Sequence, residues 1–316
     1  MHSDHQRLLV IKHGALGDLL QADGVLRDLR AHYPQAHITL LTTPGFAGLM
    51  ARCPHVDAVL LDARAPLWQL PRQFSLRRQL RQCQFTGVFD LQSSQRTRLY
   101  RQYLLTDVPW VARTQGQAPS SGLQGLVDLL TLARVPVPHA RSPDLSWMVT
   151  DVAQRLHAAG LSAPYIALIP GASARHPQKR WPYYAQLASL LIQQGCSVVT
   201  VLGPDELDLA DAMPGVVMHG LNWFELAGVL HQASYVIGND TGPSHLASGL
   251  RRPGLALFGP ATSAQRAELA RGQFQVLQLT DLHAYTAQQL YQHIAPSLIP
   301  IPLPAIPAPL PYGSAG

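Results

Sequence analysis

Short apolar runs alternate with helical patterns along this 316-residue chain, and this alternation constrains the fold most. In the first half the apolar runs are residues 8–12, 37–41, 56–61 and 85–91. In the second half they are residues 165–169, 197–202, 216–219, 235–239 and 255–258. The apolar period between them predicts helices, among them one over residues 19–31 and one over residues 183–194. Strands and helices in alternation are typical of a parallel sheet covered by helices, so we expect an α/β fold.

A proline-bearing stretch separates the two halves. Residues 135–146 carry three prolines and show no regular period, as an interdomain connection would. We therefore predict two Rossmann-like domains, residues 1–146 and 147–296, whose parallel sheets face an interdomain cleft. Ligands bind such sheets at the carboxyl ends of their strands. Residues 297–316 are rich in proline and nearly uncharged, and we expect a disordered tail there.

Composition and chain ends indicate a cytoplasmic protein. No apolar run reaches the roughly 18 residues that a membrane span needs. The first residues lack the pattern of a signal peptide and lead directly into a strand. Cys53, Cys83 and Cys196 lie far apart without metal-ligand spacing, so we expect reduced thiols and no metal site.

The charge is basic and unevenly distributed. The net charge is +5, and eight arginines between Arg72 and Arg113 face only Asp90 and Asp107. A phosphorylated substrate or an anionic membrane surface would fit this segment. Nucleic acid is a weaker candidate, because aromatic residues are not interleaved and no known binding module is present. The alternative is a solvated basic helix face with no ligand.

A phosphate-binding corner is predicted at residues 235–247. An apolar strand ends at a polar turn, and Pro243 stands where a first helical residue should be. The helix start would direct free N–H groups and about half a positive charge beyond the strand end. Asp240 and Thr241 add a carboxylate and a hydroxyl beside it. An ordinary strand–turn–helix corner is the alternative.

Two further loops follow strands. Residues 14–18 lack the G-x-G-x-x-G pattern, and the next strand lacks the ribose-binding acid of a nicotinamide enzyme. Asp18 stands at the start of a helix, where its carboxylate could cap the helix or face the cleft. A free aspartate has a pKa of about 3.9 and would be ionised at neutral pH. Residues 170–182 combine a glycine with Ser173 and Lys179, as a diphosphate cradle would; solvated surface cations are the alternative.

Together these motifs resemble glycosyltransferase family 9, the lipopolysaccharide heptosyltransferases. The match covers nearly the whole chain to about Pro296, and the ordered set of motifs is more specific than any one of them. The motifs are Leu9-Val10-Ile11-Lys12 with Leu16-Gly17-Asp18, Asp90-Leu91-Gln92, Lys179-Arg180-Trp181-Pro182, and Asp240-Thr241-Gly242-Pro243-Ser244-His245-Leu246 with Leu257-Phe258-Gly259-Pro260.

The resemblance implies a GT-B fold that transfers a heptose with inversion, usually from ADP-L-glycero-β-D-manno-heptose, to the lipopolysaccharide core. The N-terminal domain would hold the acceptor and the C-terminal domain the nucleotide sugar. Asp18 would be the catalytic base. Donor-binding residues would be Ser173, Lys179, Asp240, Thr241, Gly242 and His245, with His245 on the helix behind the pocket.

Other roles are less sharply assigned. Either Glu206 or Asp208 would bind the ribose, and Arg96 and Arg98 of the basic segment would meet the phosphorylated acceptor. The protein would work at the inner face of the cytoplasmic membrane, in peripheral contact with anionic lipid. No cofactor is implied, and no D-x-D pair follows a strand to hold a divalent ion, which agrees with a metal-independent mechanism.

The chemistry supports this interpretation independently. A departing diphosphate gains negative charge, and Lys179 and the helix start at Pro243 could stabilise it without a metal. The base must lie on the opposite side of the sugar from the diphosphate, and therefore in the other domain. Asp18 is the acid at the matching strand end. The other hypotheses are a non-catalytic nucleotide-sugar-binding module and a nucleotide-sugar epimerase of the same fold.

Overall fold

The computed structural model describes residues 6–113 and 122–298. Within them the chain forms two parallel β-sheets, each covered by helices, as an α/β GT-B fold does. Residues 299–316 of the tail that was predicted to be disordered lie outside the described residues.

The first sheet has the strand order β3-β2-β1-β4-β5, and every neighbouring pair is parallel. The order in which strands are added to the sheet reverses between β1 and β4, so the ligand crevice is expected at the carboxyl ends of these two strands. Four of its strands confirm the predicted runs, whereas β5 was missed because two residues show no period. The strands are β1 (Arg7–Ile11), β2 (His37–Thr42), β3 (Ala58–Leu61), β4 (Gly87–Asp90) and β5 (Trp110–Val111).

The second sheet has the order β11-β10-β9-β6-β7-β8 and is also parallel throughout. Its reversal lies between β6 and β9, the strands that precede the two predicted phosphate loops. Only β11 was not predicted, because its partly exposed pattern is less apolar than that of the other strands. The strands are β6 (Ile166–Ile169), β7 (Val198–Leu202), β8 (Val216–His219), β9 (Tyr235–Asn239), β10 (Gly254–Phe258) and β11 (Phe274–Gln278).

The helices cover both faces of the sheets. They are α1 (Leu16–Gln21), α2 (Asp23–His32), α3 (Ala47–Met50), α4 (Leu70–Gln82), α5 (Gln95–Tyr103), α6 (Leu123–Leu132), α7 (Ala153–Ala158), α8 (Tyr184–Gln193), α9 (Trp223–Gln232), α10 (Gly242–Gly249), α11 (Ala264–Ala267) and α12 (Ala287–Ile294). None of these helices combines the length and the apolar character needed to cross a bilayer.

The single helix predicted over residues 19–31 is wrong. The chain forms α1 and α2 instead, separated at Ala22. The apolar period runs through the break, but tertiary packing redirects the backbone there. A Cβ atom on Gly24 would lie 2.1 Å from the carbonyl oxygen of His139, so α2 approaches the connecting segment as closely as a glycine allows.

The segment that links the lobes is irregular over residues 135–145, as predicted. It is fixed to α2 by the buried Asp23 carboxylate. This group accepts hydrogen bonds from the Asp144 backbone N–H at 2.9 Å and from the Trp147 indole at 3.0 Å. Burial raises the pKa of Asp23 to about 6 despite these bonds. The domain boundary placed between residues 146 and 147 stays a prediction.

The two lobes meet where α1 packs against α10. A Cβ atom on Gly17 would lie 2.7 Å from Cδ2 of His245, and one on Gly242 would lie 2.6 Å from Cδ2 of Leu16. Two glycines therefore allow the helices to approach this closely. Because each helix follows the carboxyl end of a strand at the reversal point of its sheet, this contact brings the two predicted ligand edges together.

The three cysteines are free, and no disulfide joins them. Cys53 is buried, and burial raises the pKa of its thiol to about 12. Cys83 and Cys196 are half-buried.

Candidate active site

A cavity of about 910 Å³ lies between the lobes and is lined by both. Ligand pockets commonly measure about 300–1,000 Å³. The cavity brings together the predicted base and, apart from the ribose acid, the residues predicted to bind the donor: Asp18, Ser173, Lys179, Asp240, Thr241, Gly242 and His245. Residues from opposite halves of the chain thus share one space.

Asp18 both caps a helix and lines the cavity. Its Oδ2 atom accepts a hydrogen bond from the Ala15 backbone N–H at 3.2 Å, which satisfies the first turn of α1. The carboxylate is exposed on the cavity side. Asp18 can therefore cap α1 and face the cleft at the same time, the two positions that the sequence left open.

The loop that carries Asp18 is supported by the end of β4. The His13 backbone N–H donates to Oε1 of Gln92 at 2.9 Å, and Nζ of buried Lys12 lies 3.5 Å from the Leu91 carbonyl oxygen. Burial lowers the pKa of Lys12, while the nearby charges of Asp18 and Asp90 raise it.

A buried polar network holds the other side of this loop, and sequence reasoning missed it. Nε2 of His13 lies 3.0 Å from Oδ2 of Asp62, which also accepts a hydrogen bond from the Tyr100 hydroxyl. Arg96 donates to that hydroxyl at 2.9 Å and to the Ala65 carbonyl oxygen at 2.6 Å. Burial would raise the pKa of Asp62, but the bonds from His13 and Tyr100 outweigh it and lower the pKa.

Lys179 and Asp240 form an ion pair in the second lobe. Nζ of Lys179 lies 2.7 Å from Oδ2 of Asp240, and Nε2 of His245 lies 3.9 Å from Oδ1. Burial would raise the pKa of Asp240, but hydrogen bonds from His245 and Lys179 lower it to about 2. His245 lies on α10, as predicted, and borders the cavity between Asp240 and Gly17.

Buried Asn239 fixes the loops around this pair. Its Oδ1 atom accepts from the Trp181 backbone N–H and the Tyr184 hydroxyl, both at 3.2 Å. Its Nδ2 atom donates to the carbonyl oxygens of Pro170 at 2.9 Å and Gly171 at 3.1 Å. One side chain therefore joins the loop after β6, the Lys179 loop and the end of β9. A polar residue closing an apolar strand was the only sequence signal for this role.

The start of α10 and the loop after β6 form the rest of the second-lobe wall. The helix begins at Gly242 with Thr241 as its N-cap residue, so Pro243 is its second residue and not its first as predicted. The start of this helix lines the cavity. Arg175 and His176 line it as well, although the sequence had singled out neither.

Several predicted residues do not line the cavity. Glu206 is half-buried and accepts the Gly203 backbone N–H at 2.8 Å, beside Gly171, whereas Asp208 is exposed. Arg96 is bound into the network described above, and Arg98 is exposed on α5. Among residues 6–113 and 122–298, no three or more His, Cys, Asp or Glu side chains are grouped to hold a metal ion.

Comparison with known proteins identifies the family. The family described as Glycosyltransferase family 9 (heptosyltransferase) matches residues 124–294, more than half of the chain. Lipopolysaccharide heptosyltransferase 2 of Escherichia coli is 25% identical over 294 residues, which cover 81% of this chain and 83% of that protein. Lipopolysaccharide heptosyltransferase 1 of Pseudomonas aeruginosa is 27% identical over 305 residues, 84% and 82% of the two chains.

A solved structure shares the architecture. E. coli ADP-heptose lps heptosyltransferase II superposes with a TM-score of 0.74 at 21% identity, over 92% of this chain and 98% of that one. The expected GT-B fold is confirmed by this likeness. With its cavity between two Rossmann-like lobes and its match to the family, the chain belongs to glycosyltransferase family 9, the heptosyltransferases.

Proposed function

We propose that this enzyme transfers a heptose, or a closely related sugar, from an ADP-sugar to the lipopolysaccharide core, with inversion and without a metal ion. One observation carries the proposal. Asp18 of the first lobe and Lys179 of the second line the same cavity, so a carboxylate and a cation face a common space. A sugar held between them would meet a base on one side and a stabilised leaving group on the other.

Asp18 would act as the general base. Its carboxylate takes the proton of the acceptor hydroxyl, and the acceptor oxygen forms a bond to the anomeric carbon. The bond from that carbon to the diphosphate breaks at the same time, and its electron pair leaves with ADP. Attack opposite the leaving group inverts the anomeric centre. The proton remains on Asp18 until solvent accepts it.

Lys179 and the start of α10 would stabilise the departing diphosphate. Lys179 supplies a full charge, and the backbone N–H groups of the α10 start contribute about half a charge at the cavity wall. Loss of one such group typically lowers the rate of a reaction about a hundredfold or more. Arg175 lines the same wall and would add to the positive field.

An ADP-heptose donor is supported by the similarity to the E. coli ADP-heptose lps heptosyltransferase II. Of the two acids considered for the ribose, we propose Glu206. Its carboxylate lies beside Gly171 at the carboxyl edge of the second sheet, whereas the side chain of Asp208 is exposed. Burial raises the pKa of Glu206, and a hydrogen bond from the Gly203 N–H partly offsets this.

The acceptor side is proposed from the first lobe. Exposed Arg98 would contact a phosphorylated core sugar, while Arg96 would position the β1 loop through Tyr100 and Asp62. The site of action would be the inner face of the cytoplasmic membrane, where a lipid-linked acceptor is presented.

The test is Asp18→Asn, assayed with ADP-L-glycero-β-D-manno-heptose and core acceptor. We expect unchanged donor affinity by calorimetry and transfer reduced at least a hundredfold, because the amide cannot accept the proton. Asp205→Asn, an exposed acid outside the cavity lining, should transfer at the parent rate. Unchanged turnover of Asp18→Asn would contradict its role. Donor conversion without acceptor would indicate an epimerase, and binding without transfer a binding module.

A further inference from the structure

The segment from β3 into α4 exposes an unusual number of apolar side chains. Nine large apolar side chains are exposed among the described residues, and five of them lie within residues 61–74. They are Leu61, Leu67, Trp68, Leu70 and Phe74, with Trp68 77% and Phe74 60% exposed. We call these five residues the apolar patch. Large apolar groups clustered on a surface usually mark a contact with a partner or a membrane.

The helix that continues the patch is basic. The α4 helix carries four arginines and no acidic residue. Its buried side holds Leu76 and Leu80, which pack into the first-lobe core, while Leu70 and Phe74 lie one turn apart on the exposed side. Exposed cations accompany these apolar side chains, with Arg72 in the first turn and Arg78 and Arg81 further along, whereas Arg77 is half-buried.

This combination fits an anionic lipid surface better than a protein. Interfacial helices insert Trp, Phe and Leu at the boundary between headgroups and acyl chains, while their Lys and Arg side chains attract anionic lipids. Trp is enriched at that boundary because its ring is amphipathic. The patch has one such Trp, and α4 adds three exposed cations, Arg72, Arg78 and Arg81, of which Arg81 lies 3.7 Å from Asp107.

The patch lies at the same sheet edge as the candidate base. Leu61 ends β3, and because β1, β2 and β3 are parallel, its carboxyl end lies on the edge where the Asp18 loop begins. The next residue, Asp62, contacts His13 of that loop at 3.0 Å. Arg96 holds the Ala65 carbonyl oxygen at 2.6 Å, which fixes the segment leading to Trp68.

We propose that the apolar patch and the α4 arginines form a membrane-docking surface that inserts into an anionic bilayer. Docking would place the edge of the first sheet that carries Asp18 next to the headgroups, where the sugar of a lipid-borne acceptor is exposed. The membrane contact is inferred from the apolar patch and the α4 arginines and does not depend on the proposed function. Its link to acceptor delivery rests on the proposed function.

The test is co-sedimentation with vesicles of phosphatidylcholine and phosphatidylglycerol. We expect Trp68→Ser/Phe74→Ser to weaken binding at least tenfold, because the inserting rings are lost. Arg72→Gln/Arg78→Gln should weaken binding at low salt and reduce its salt dependence. Leu132→Ser is the matched control, since Leu132 is also 60% exposed but lies on α6, and its binding should stay within twofold of the parent.

Donor affinity measured by calorimetry separates the two proposals. All four proteins should bind the ADP-sugar equally, which also shows that the variants are folded. Vesicle binding that persists in Trp68→Ser/Phe74→Ser would overturn the docking surface. A second result would also overturn it: the parent protein does not bind vesicles but sediments as a dimer, and Trp68→Ser/Phe74→Ser sediments as a monomer. The patch would then be a contact between two copies of the chain. Parent protein that docks but binds no ADP-sugar would instead contradict the proposed function.

Discussion

Replacement of Lys179 by methionine separates its proposed role in phosphate binding from its role in folding. Methionine keeps much of the length of the side chain and removes the charge. In the parent, Lys179 is held 2.7 Å from the Asp240 carboxylate, and both side chains are mostly buried. The substitution therefore removes the proposed ligand of the diphosphate and also leaves the buried Asp240 carboxylate without its lysine partner.

The stability cost can be worked from Asp240. Its pKa is lowered to about 2 from an ordinary 3.8, about 1.8 units. At about 1.36 kcal/mol per unit, its partners stabilise the folded state by roughly 2.5 kcal/mol at neutral pH. His245 shares this effect, so we expect Lys179→Met to cost about 1–2 kcal/mol. Because the folded pKa is depressed, this stability is present above about pH 4 and is lost as the pH falls towards 2.

The double variant Lys179→Met/Asp240→Asn provides the decisive measurement. It removes both charges, so no buried ion remains unpaired, and its urea midpoint should return towards the parent value. Its affinity for the ADP-sugar should stay at least tenfold weaker, a loss of about 1.4 kcal/mol. Arg155→Met is the matched control, because it breaks a partly exposed ion pair with Glu225 at 2.6 Å outside the cavity lining.

Two outcomes would refute this reasoning. Unchanged donor affinity in Lys179→Met would remove Lys179 from the diphosphate site. A double variant as unstable as the single one would show that the loss comes from packing and not from the unpaired Asp240 carboxylate. Arg155→Met should cost less than about 1 kcal/mol and leave donor affinity unchanged.

Two further predictions concern stability. Burial raises the pKa of Asp23 to about 6 and lowers that of His55, whose Nε2 atom lies 3.7 Å from Oδ1 of Asp23, to about 4. The protein therefore loses stability through Asp23 as the pH rises from about 4 to 6, and gains stability through His55 as the pH rises from about 4 to 6.5. Urea unfolding of the parent should change little in this range, whereas Asp23→Asn should become more stable with rising pH. Asn239→Ala should lower the free energy of unfolding by at least about 3 kcal/mol, because buried backbone groups of the loops lose their hydrogen-bond partners. Asn222→Ala, which removes an exposed helix cap, should lower it by about 1 kcal/mol.

Each of these can fail clearly. A flat profile for Asp23→Asn between pH 4.5 and 6.5 would mean that the two groups do not titrate as their burial implies. Equal unfolding midpoints for Asn239→Ala and Asn222→Ala would show that Asn239 does not hold the loops together. Donor affinity should also fall in Asn239→Ala, since the Lys179 loop is released.

The sequence predicted those parts of the fold that are set by local pattern. Buried parallel strands such as β6 and β9 are continuous apolar runs, and their ends can be recognised by polar turns. The two-residue strand β5 offers no such pattern, and its pairing depends on the neighbouring β4. The break at Ala22 was not predicted either, because the apolar period continues through it.

The site divides in the same way. Lys179 and Asp240 follow β6 and β9, and parallel topology brings the ends of these neighbouring strands to one edge of the second sheet. Asp18 follows β1 of the first sheet, and the contact of α1 with α10 brings it to the same cavity. The bonds of Asn239 span 55 to 69 positions in the chain, and the contact of His13 with Asp62 joins separate strands. Such partners depend on packing between elements. No periodic signal in one sequence specifies them.

The contact between α1 and α10 has a consequence for the choice of sugar. Gly17 directly precedes Asp18, and Gly242 directly follows Thr241, so the closeness of these helices sets how far the base stands from the donor wall. A methyl group at position 242 would meet Leu16 and hold the lobes apart. We therefore expect Gly17 and Gly242 to limit the size of the sugar that this enzyme accepts. A larger residue at either position should admit larger donors and slow the transfer of a heptose.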